Sequence, residues 1–167
     1  DLNVIDLVGE ETVDSQAAKY GPRLYERDPK LCCELNKVRP FDQALRGLDG
    51  WITSLRRDSA WTRVSTPIVD ESETEQGTWL VKINPMANWT RPQVWRYMKE
   101  HGVPHHPLYN LGYASIGCAP CTRMVFPGED ERAGRWSGIM KTECGIHQDE
   151  TARQDAGAPE VLQEARS

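Results

Sequence analysis

The sequence predicts an α/β fold, and three observations carry that prediction. Residues 51–55 and 79–84 are short runs of aromatic and β-branched residues, the composition of strands packed in a sheet. Segments with helical spacing of apolar residues lie at 41–48 and after Thr90. Strands alternating with helices favour an α/β fold. No internal repeat is visible.

Composition bounds the function classes. The chain has 167 residues, 38% hydrophobic and 27% charged, which is enough for one core of globular type. A net charge of −5 argues against broad nucleic-acid binding, while leaving room for a small anionic ligand held by a local basic cluster. No apolar run approaches a membrane span. The first residues lack a basic stretch followed by an apolar one, so a reducing cytoplasm is the expected setting.

Taken in order, residues 1–8 read as a strand that opens without a cap, as if the chain started inside a domain. Residues 14–20 read as a short helix. Residues 31–38 form a second helix, expected to end before Pro40 because a residue preceding proline disfavours the helical region. Phe41, Ala44, Leu45 and Leu48 share one face of a third, and Gly47 and Gly50 punctuate the stretch after it. Residues 51–55 are expected to be a buried strand. It leads into Arg56, Arg57 and Arg63, and open α/β sheets bind ligands at such carboxyl ends. Residues 70–77 are acidic and read as a surface loop. Residues 79–84 form the next strand, stopped by Pro85. Thr90 can cap a helix with Pro92 in its first turn, ending at Gly102. A Pro/Gly-rich connection runs over 103–122. Residues 127–135 are polar and expected to be mobile, residues 136–147 carry the last cysteine, and 148–167 are acidic with no firm periodicity.

Five cysteines carry the chemistry. Cys32 and Cys33 are adjacent, and Cys118 and Cys121 form a C-x-x-C in a Gly/Pro-rich loop. Two tight pairs suggest one metal site. Thiolates are soft donors that suit an iron–sulfur cluster or zinc. Zinc sites separate paired ligands by two to four residues, so the vicinal pair fits a cluster better. Zinc, and buried thiols without metal, stay open on spacing alone. Cys144 stands apart, with Lys141 and His147 nearby to supply positive charge and Glu143 opposing it. That pattern suits a reactive thiol or an inert one. Lys37 lies four residues beyond Cys33, on the same helical face as the metal site. Arg56, Arg57, Arg63, Arg132 and Arg135 are candidate anion ligands, since arginine forks suit phosphate and sulfate. The surface-ion-pair alternative applies to each alone. His105 and His106 read as loop residues.

Together these segments resemble a family. Cys32-Cys33 and Lys37, the stretch 51–63, the run 79–85, Gly117-Cys118-Ala119-Pro120-Cys121, Gly134-Arg135-Trp136 and Glu143-Cys144-Gly145-Ile146-His147 are similar to the assimilatory adenylylsulfate reductases over residues 1–147. The resemblance implies a [4Fe-4S] cluster on Cys32, Cys33, Cys118 and Cys121, and Cys144 as catalytic nucleophile. It also implies Lys37, Arg57, Arg63, Arg132, Arg135 and His147 around the substrate. The implied reaction reduces adenosine 5′-phosphosulfate to sulfite and AMP through an S-sulfocysteine, with thioredoxin or glutaredoxin as donor. No nucleic acid or membrane partner is implied, and a homo-oligomer is compatible.

The implied fold is a partial adenine-nucleotide alpha-hydrolase-like domain (PP-loop, Rossmann-like), missing its first strands, plus a catalytic tail. Residues 1–126 would be the C-terminal part of the nucleotide- and cluster-binding reductase domain, and 127–167 the mobile tail. The family's S-G-G-x-D-S loop and L-D-T-G strand end are absent from this sequence, so a fragment is expected. Asn36 stands where relatives often have a basic residue, and Ser54 where they often have glycine. The related phosphoadenylylsulfate reductases usually lack the four cluster cysteines, which favours the adenylylsulfate form. The alternative is a non-enzymatic module built on a four-cysteine zinc site.

Overall fold

A computed structural model describes residues 3–73, 79–139 and 141–147. Four helices open the chain: α1 (Val13–Tyr20), α2 (Leu24–Arg27), α3 (Pro29–Cys33) and α4 (Arg39–Leu45). Thr12 caps α1 by accepting from the Ser15 amide, and Asp28 caps α3 by accepting from the Leu31 amide.

The expected break before Pro40 does not occur. The chain runs from α3 into α4 through a π turn at Glu34–Val38, closed by the Arg39 N–H donating to the Glu34 carbonyl. Pro40 sits in the first turn of α4, where its missing N–H costs little. The wider turn also relieves the clash its ring would make with the preceding carbonyls. Such π turns often mark functional sites, and this one directly follows the vicinal cysteines.

Among the described residues the sheet has three strands in the order β1-β3-β2, with β1 Gly50–Ile52, β2 Val69–Glu73 and β3 Trp79–Ile83. β1 runs parallel to β3, with Gly50 opposite Val81, and β2 runs antiparallel to it, with Glu71 also opposite Val81. Two expectations need correction. Residues 70–73, read as surface loop, instead pair with the second edge of β3 and satisfy its backbone groups; residues 74–77 of that expected loop lie outside the described residues. Residues 51–55 are not a wholly buried strand. β1 ends at Ile52, which is 72% exposed, because the chain leaves the sheet after the Thr53 amide donates to the Ile83 carbonyl.

The strand expected at residues 1–8 is also absent among the described residues 3–8. No neighbouring strand pairs with that segment, and Val4, Ile5 and Val8 face outward. Residues 1 and 2 lie outside the described residues, as do 148–167.

The core gathers Leu24, Leu35, Val38, Leu55, Leu80, Ala87, Ala114 and Trp136. At its centre Asn84 is fully buried. It accepts from the Thr53 hydroxyl and donates to the Pro67 carbonyl at 2.9 Å, while its own amide donates to the Ile68 carbonyl at 2.7 Å. One side chain thereby ties together the segments that follow β1, precede β2 and end β3. α4 packs on β1 through an edge-on contact of Phe41 with Trp51, ring centroids 4.8 Å apart. The helix expected after Thr90 is α5 (Arg91–Glu100), which opens with a full capping box between Thr90 and Gln93. Residues 127–135, expected as a mobile stretch, form turns tied back to the body: Glu129 pairs with Arg123 and Glu131 with Arg56, each at 2.8 Å.

Candidate functional site

Two cavities lie side by side, sharing Lys37 and Arg135 in their linings, and the second is lined in part by the segment that follows β1. The first, about 330 Å³, is walled by Cys32, Cys33, Cys118 and Cys121, with Asn36, Pro120 and Trp136 among its other lining residues. Cys32 and Cys33 end α3. Cys118 and Cys121 flank a tight turn in which the Cys121 amide donates to the Cys118 carbonyl at 2.9 Å. That turn is held against residues 134–136: Arg123 donates to the Gly134 carbonyl at 2.8 Å and Trp136 to the Cys121 carbonyl at 3.0 Å. Trp136 is buried at a left-handed φ of 48°, a conformation that bulky residues seldom adopt without tertiary support.

The donor set is chemically distinctive. Burial pushes the Cys32 thiol pKa up, and the charges of Cys33, Cys121 and Cys118 push it further. Cys121 is raised in the same way, by burial and then by Cys118 and Cys33, against the pull of Arg135 and Lys37. A bound cationic centre would offset that mutual repulsion. Among the described residues, no three His, Cys, Asp or Glu side chains are grouped to hold a single metal ion. The four thiols that line the first cavity are soft donors of the kind that suit zinc or an iron–sulfur cluster. Asn36, at the expected basic position, forms a reciprocal amide pair with buried Gln16, at 2.9 and 3.0 Å, and donates to the Cys32 carbonyl at 2.8 Å. It therefore fixes the vicinal pair through hydrogen bonds and adds no charge.

The second cavity, about 300 Å³, is polar. Its lining includes Lys37, Arg56, Arg63, Arg132, Arg135, Glu143, Cys144 and His147, together with Ser54 and Tyr109. Residues scattered over the whole sequence thus converge: a π turn after α3, the segment after β1, and the turns at 131–147. Lys37 and Arg135 line both cavities, so they form the partition between cysteines and polar chamber. Arg135 reaches this place because Gly117 has no side chain. A Cβ there would lie 2.8 Å from Arg135 Nε and closer still to its terminal nitrogen. The guanidinium donates to the Ile116 carbonyl at 3.3 Å and stacks over Trp136 at 4.5 Å, and its Nε is buried without a hydrogen-bond partner.

Glu143 occupies the cationic end of this chamber. Arg63 grips its carboxylate with two bonds, Nε at 2.9 Å and a terminal nitrogen at 2.7 Å. Arg132 adds a bond at 3.1 Å and the Thr62 hydroxyl another at 3.1 Å. All three charged side chains are 14% exposed or less. Burial pushes the Glu143 carboxyl pKa up, but the bond from Arg63 and the charges of Arg132 and Arg63 outweigh it and leave the net value below the usual carboxylate range. Burial, followed by the Arg63 charge, holds Arg132 below its own usual range. Glu143 was legible only as a neighbour of Cys144 opposing its ionisation; Arg63 and Thr62 lie 80 and 81 residues upstream of it, and no local pattern announces them.

The other predicted residues divide. Arg57 does not reach the polar cavity: its guanidinium donates to the Thr66 carbonyl at 2.7 Å and to Asn88 at 2.6 Å, a structural role in the turn after β1. Arg56 lines the cavity but is paired with Asp58 and Glu131, both at 2.8 Å. His147 lies flat against Trp51, centroids 5.8 Å apart and 4° between planes. Burial, with Arg63 and Lys82 adding to it, lowers its pKa to about 4. It is therefore neutral near pH 7, and the expected positive charge beside Cys144 is not supplied by this ring. Lys141 donates to the Pro29 carbonyl at 3.2 Å; burial raises the Cys33 thiol pKa, and the charge of Lys141 opposes that rise. His105 contacts Asn110, and His106 accepts from the Leu108 amide.

Comparison with known proteins identifies relatives of this chain. The family model for the phosphoadenosine phosphosulfate reductase domain matches residues 1–124. An adenosine 5′-phosphosulfate reductase of Streptomyces coelicolor is 54% identical over 147 residues, covering 88% of this chain and 61% of that protein. One from Halalkalibacterium halodurans is 48% identical over 139 residues, covering 83% and 59%. The crystal structure of a phosphoadenylyl-sulfate reductase from Candida auris, a phosphate complex, superposes with a TM-score of 0.54 at 34% identity, covering 67% of this chain and 52% of that one. The chain spans about three fifths of the length of these curated relatives. With an α/β sheet, a paired cysteine cavity and a family model matched across residues 1–124, this chain belongs to the phosphoadenosine phosphosulfate reductase family.

Proposed function

We propose that this chain carries the catalytic and cluster-binding parts of an adenylylsulfate reductase, which reduces adenosine 5′-phosphosulfate to sulfite and AMP in sulfate assimilation. One observation carries the reading: Cys144 lines the same polar cavity as Lys37, Arg63, Arg132 and Arg135, and two of those cations also line the four-cysteine cavity. The names of the two bacterial relatives point to the same substrate.

The chemistry is dictated by charge. The Cys144 thiolate attacks the sulfate sulfur, an S–S bond forms, and the anhydride S–O bond breaks. The electron pair leaves on the AMP phosphate oxygen, giving S-sulfocysteine. Fixed guanidinium and ammonium groups stabilise that growing charge, and offset the repulsion between an anionic substrate and a thiolate. A dithiol donor, thioredoxin or glutaredoxin, then attacks the cysteine sulfur. Sulfite leaves with the bonding pair, and the mixed disulfide resolves to oxidised donor and free Cys144.

His147, neutral and stacked on Trp51, closes one wall of the chamber and supplies shape without charge. Cys32, Cys33, Cys118 and Cys121 would hold a [4Fe-4S] cluster, whose contribution is electrostatic, passed across the partition at Lys37 and Arg135. In this reading residues 1–126 form the cluster and nucleotide body, and the segment from 127 onward carries the nucleophile. No helix of the described residues is long and apolar enough to cross a membrane. We place the enzyme in the cytoplasm because a dithiol donor must be kept reduced.

The test is anaerobic purification with iron, sulfide and zinc analysis, then single-turnover assay. About four irons and four sulfides per chain are expected, and Cys144→Ser should retain them while forming no sulfite. One zinc per chain, or sulfite released by Cys144→Ser, refutes the assignment.

A further inference from the structure

Glu143 offers a role that the reductase reading does not require. All three nitrogens of the Arg63 guanidinium are engaged: two on Glu143 and the third toward the Ser59 hydroxyl at 3.4 Å. The Arg132 nitrogen that meets Glu143 also donates to the Thr142 carbonyl at 2.9 Å. A planar carboxylate in a bidentate arginine fork has the shape and charge of the oxyanion face that such a fork recognises. The two-arginine end of the polar cavity is therefore already filled by an anion, and that anion is the side chain next to Cys144.

We infer that Glu143 is an internal stand-in for the ligand's oxyanion group, so that an incoming anion must displace it, and its displacement frees Cys144 to approach the ligand. Arg63 cannot bind a phosphate or sulfate through its fork while holding Glu143 through the same two nitrogens. Displacement also removes the bonds of Arg63, Arg132 and Thr62 to the Glu143 carboxylate. Other contacts of the segment include Arg132 donating to the Thr142 carbonyl at 2.9 Å, Lys141 donating to the Pro29 carbonyl at 3.2 Å, Lys82 donating to the His147 carbonyl at 3.3 Å, and the His147 ring on Trp51. Anion binding and delivery of the thiol are then one equilibrium, in which the ligand favours the state with Glu143 released. Glu143 is a positioning residue in this scheme and does not touch the reacting atoms. The role given to Cys144 rests on the reductase reading; the anion seat does not.

The test uses the full 167-residue chain and inorganic pyrophosphate, two linked tetrahedral oxyanions that cannot be reduced. Glu143→Gln removes the competing charge while keeping the shape, and should bind pyrophosphate roughly tenfold more tightly by isothermal titration. Unchanged or weaker binding overturns the inference. In the wild type, pyrophosphate should speed iodoacetamide labelling of Cys144, read by peptide mass spectrometry. Unchanged or slower labelling overturns it as well, and this second arm stands even if the variant does not fold. Failure of the reductase reading would appear separately, as absence of sulfite from adenosine 5′-phosphosulfate with both pyrophosphate responses intact.

Discussion

Gly117→Ala separates the binding role of Arg135 from its place in the fold. Gly117 does not adopt a left-handed φ, so alanine imposes no backbone strain. The added methyl would lie 2.8 Å from Arg135 Nε and nearer still to the terminal nitrogen, inside the roughly 3.5 Å at which non-bonded atoms rest. The guanidinium must retreat by about an ångström, and as the end of a flexible side chain it can do so cheaply. That retreat takes it off the partition between the two cavities. A charge-assisted hydrogen bond to an oxyanion contributes about 1.5–3 kcal/mol, so pyrophosphate affinity should fall roughly 10- to 150-fold. Isothermal titration measures this, with thermal unfolding as the check on the fold and Arg57→Ala as the control that leaves affinity unchanged. An unaltered affinity in Gly117→Ala, with melting temperature preserved, would refute the placement of Arg135 as an anion ligand.

Two further predictions concern the framework. Asn84→Ala leaves the Thr53 hydroxyl and the Pro67 carbonyl without their buried partner, and should cost about 2–4 kcal/mol in urea denaturation; a loss under about 1 kcal/mol would contradict its role as the central tie. His147 is neutral in the fold with a pKa of about 4 and ionises near 6.5 when unfolded. Its contribution is therefore complete above about pH 6.5 and declines as pH falls toward 4. The bound from the difference is about 3 kcal/mol, at about 1.4 kcal/mol per pKa unit. Glu143, with its lowered pKa, weakens the same segment further as pH drops below the carboxylate range. A histidine-resolved NMR titration with a midpoint near 6.5 for His147 would contradict its buried placement.

The local signals in the sequence were those whose physics is local. Thr90 and Gln93 cap α5 because a hydroxyl and an amide three residues apart can satisfy each other's backbone groups without help from elsewhere. The aromatic and β-branched run at 79–84 became β3, since it suits a pleated, half-buried surface. The two cysteine pairs, read from spacing as one site, line a single cavity in the fold.

Pairing and partnership were not legible in the same way. Residues 70–73 look like an acidic loop until β3 offers them a free edge, and residues 3–8 look like a strand until no neighbour is found. Pro40 reads as a helix end, yet the π turn before it lets the helix pass, and that turn sets Lys37 between the two cavities. Arg57 and Arg63 are indistinguishable by composition. One is drawn to Thr66 and Asn88, the other to Glu143 eighty residues downstream, because only the folded chain decides which carbonyls and carboxylates lie within reach. The charge state of His147 was decided the same way: burial against Trp51 and the neighbouring cations outweigh the carboxylate beside it, and neither the burial nor the cations are written in the five residues around Cys144. Residue order alone was enough to say which chemical groups this protein possesses and where its helices can start. Which of those groups meet was left to the folded chain, since long-range contacts depend on packing and burial that no short window of residues contains.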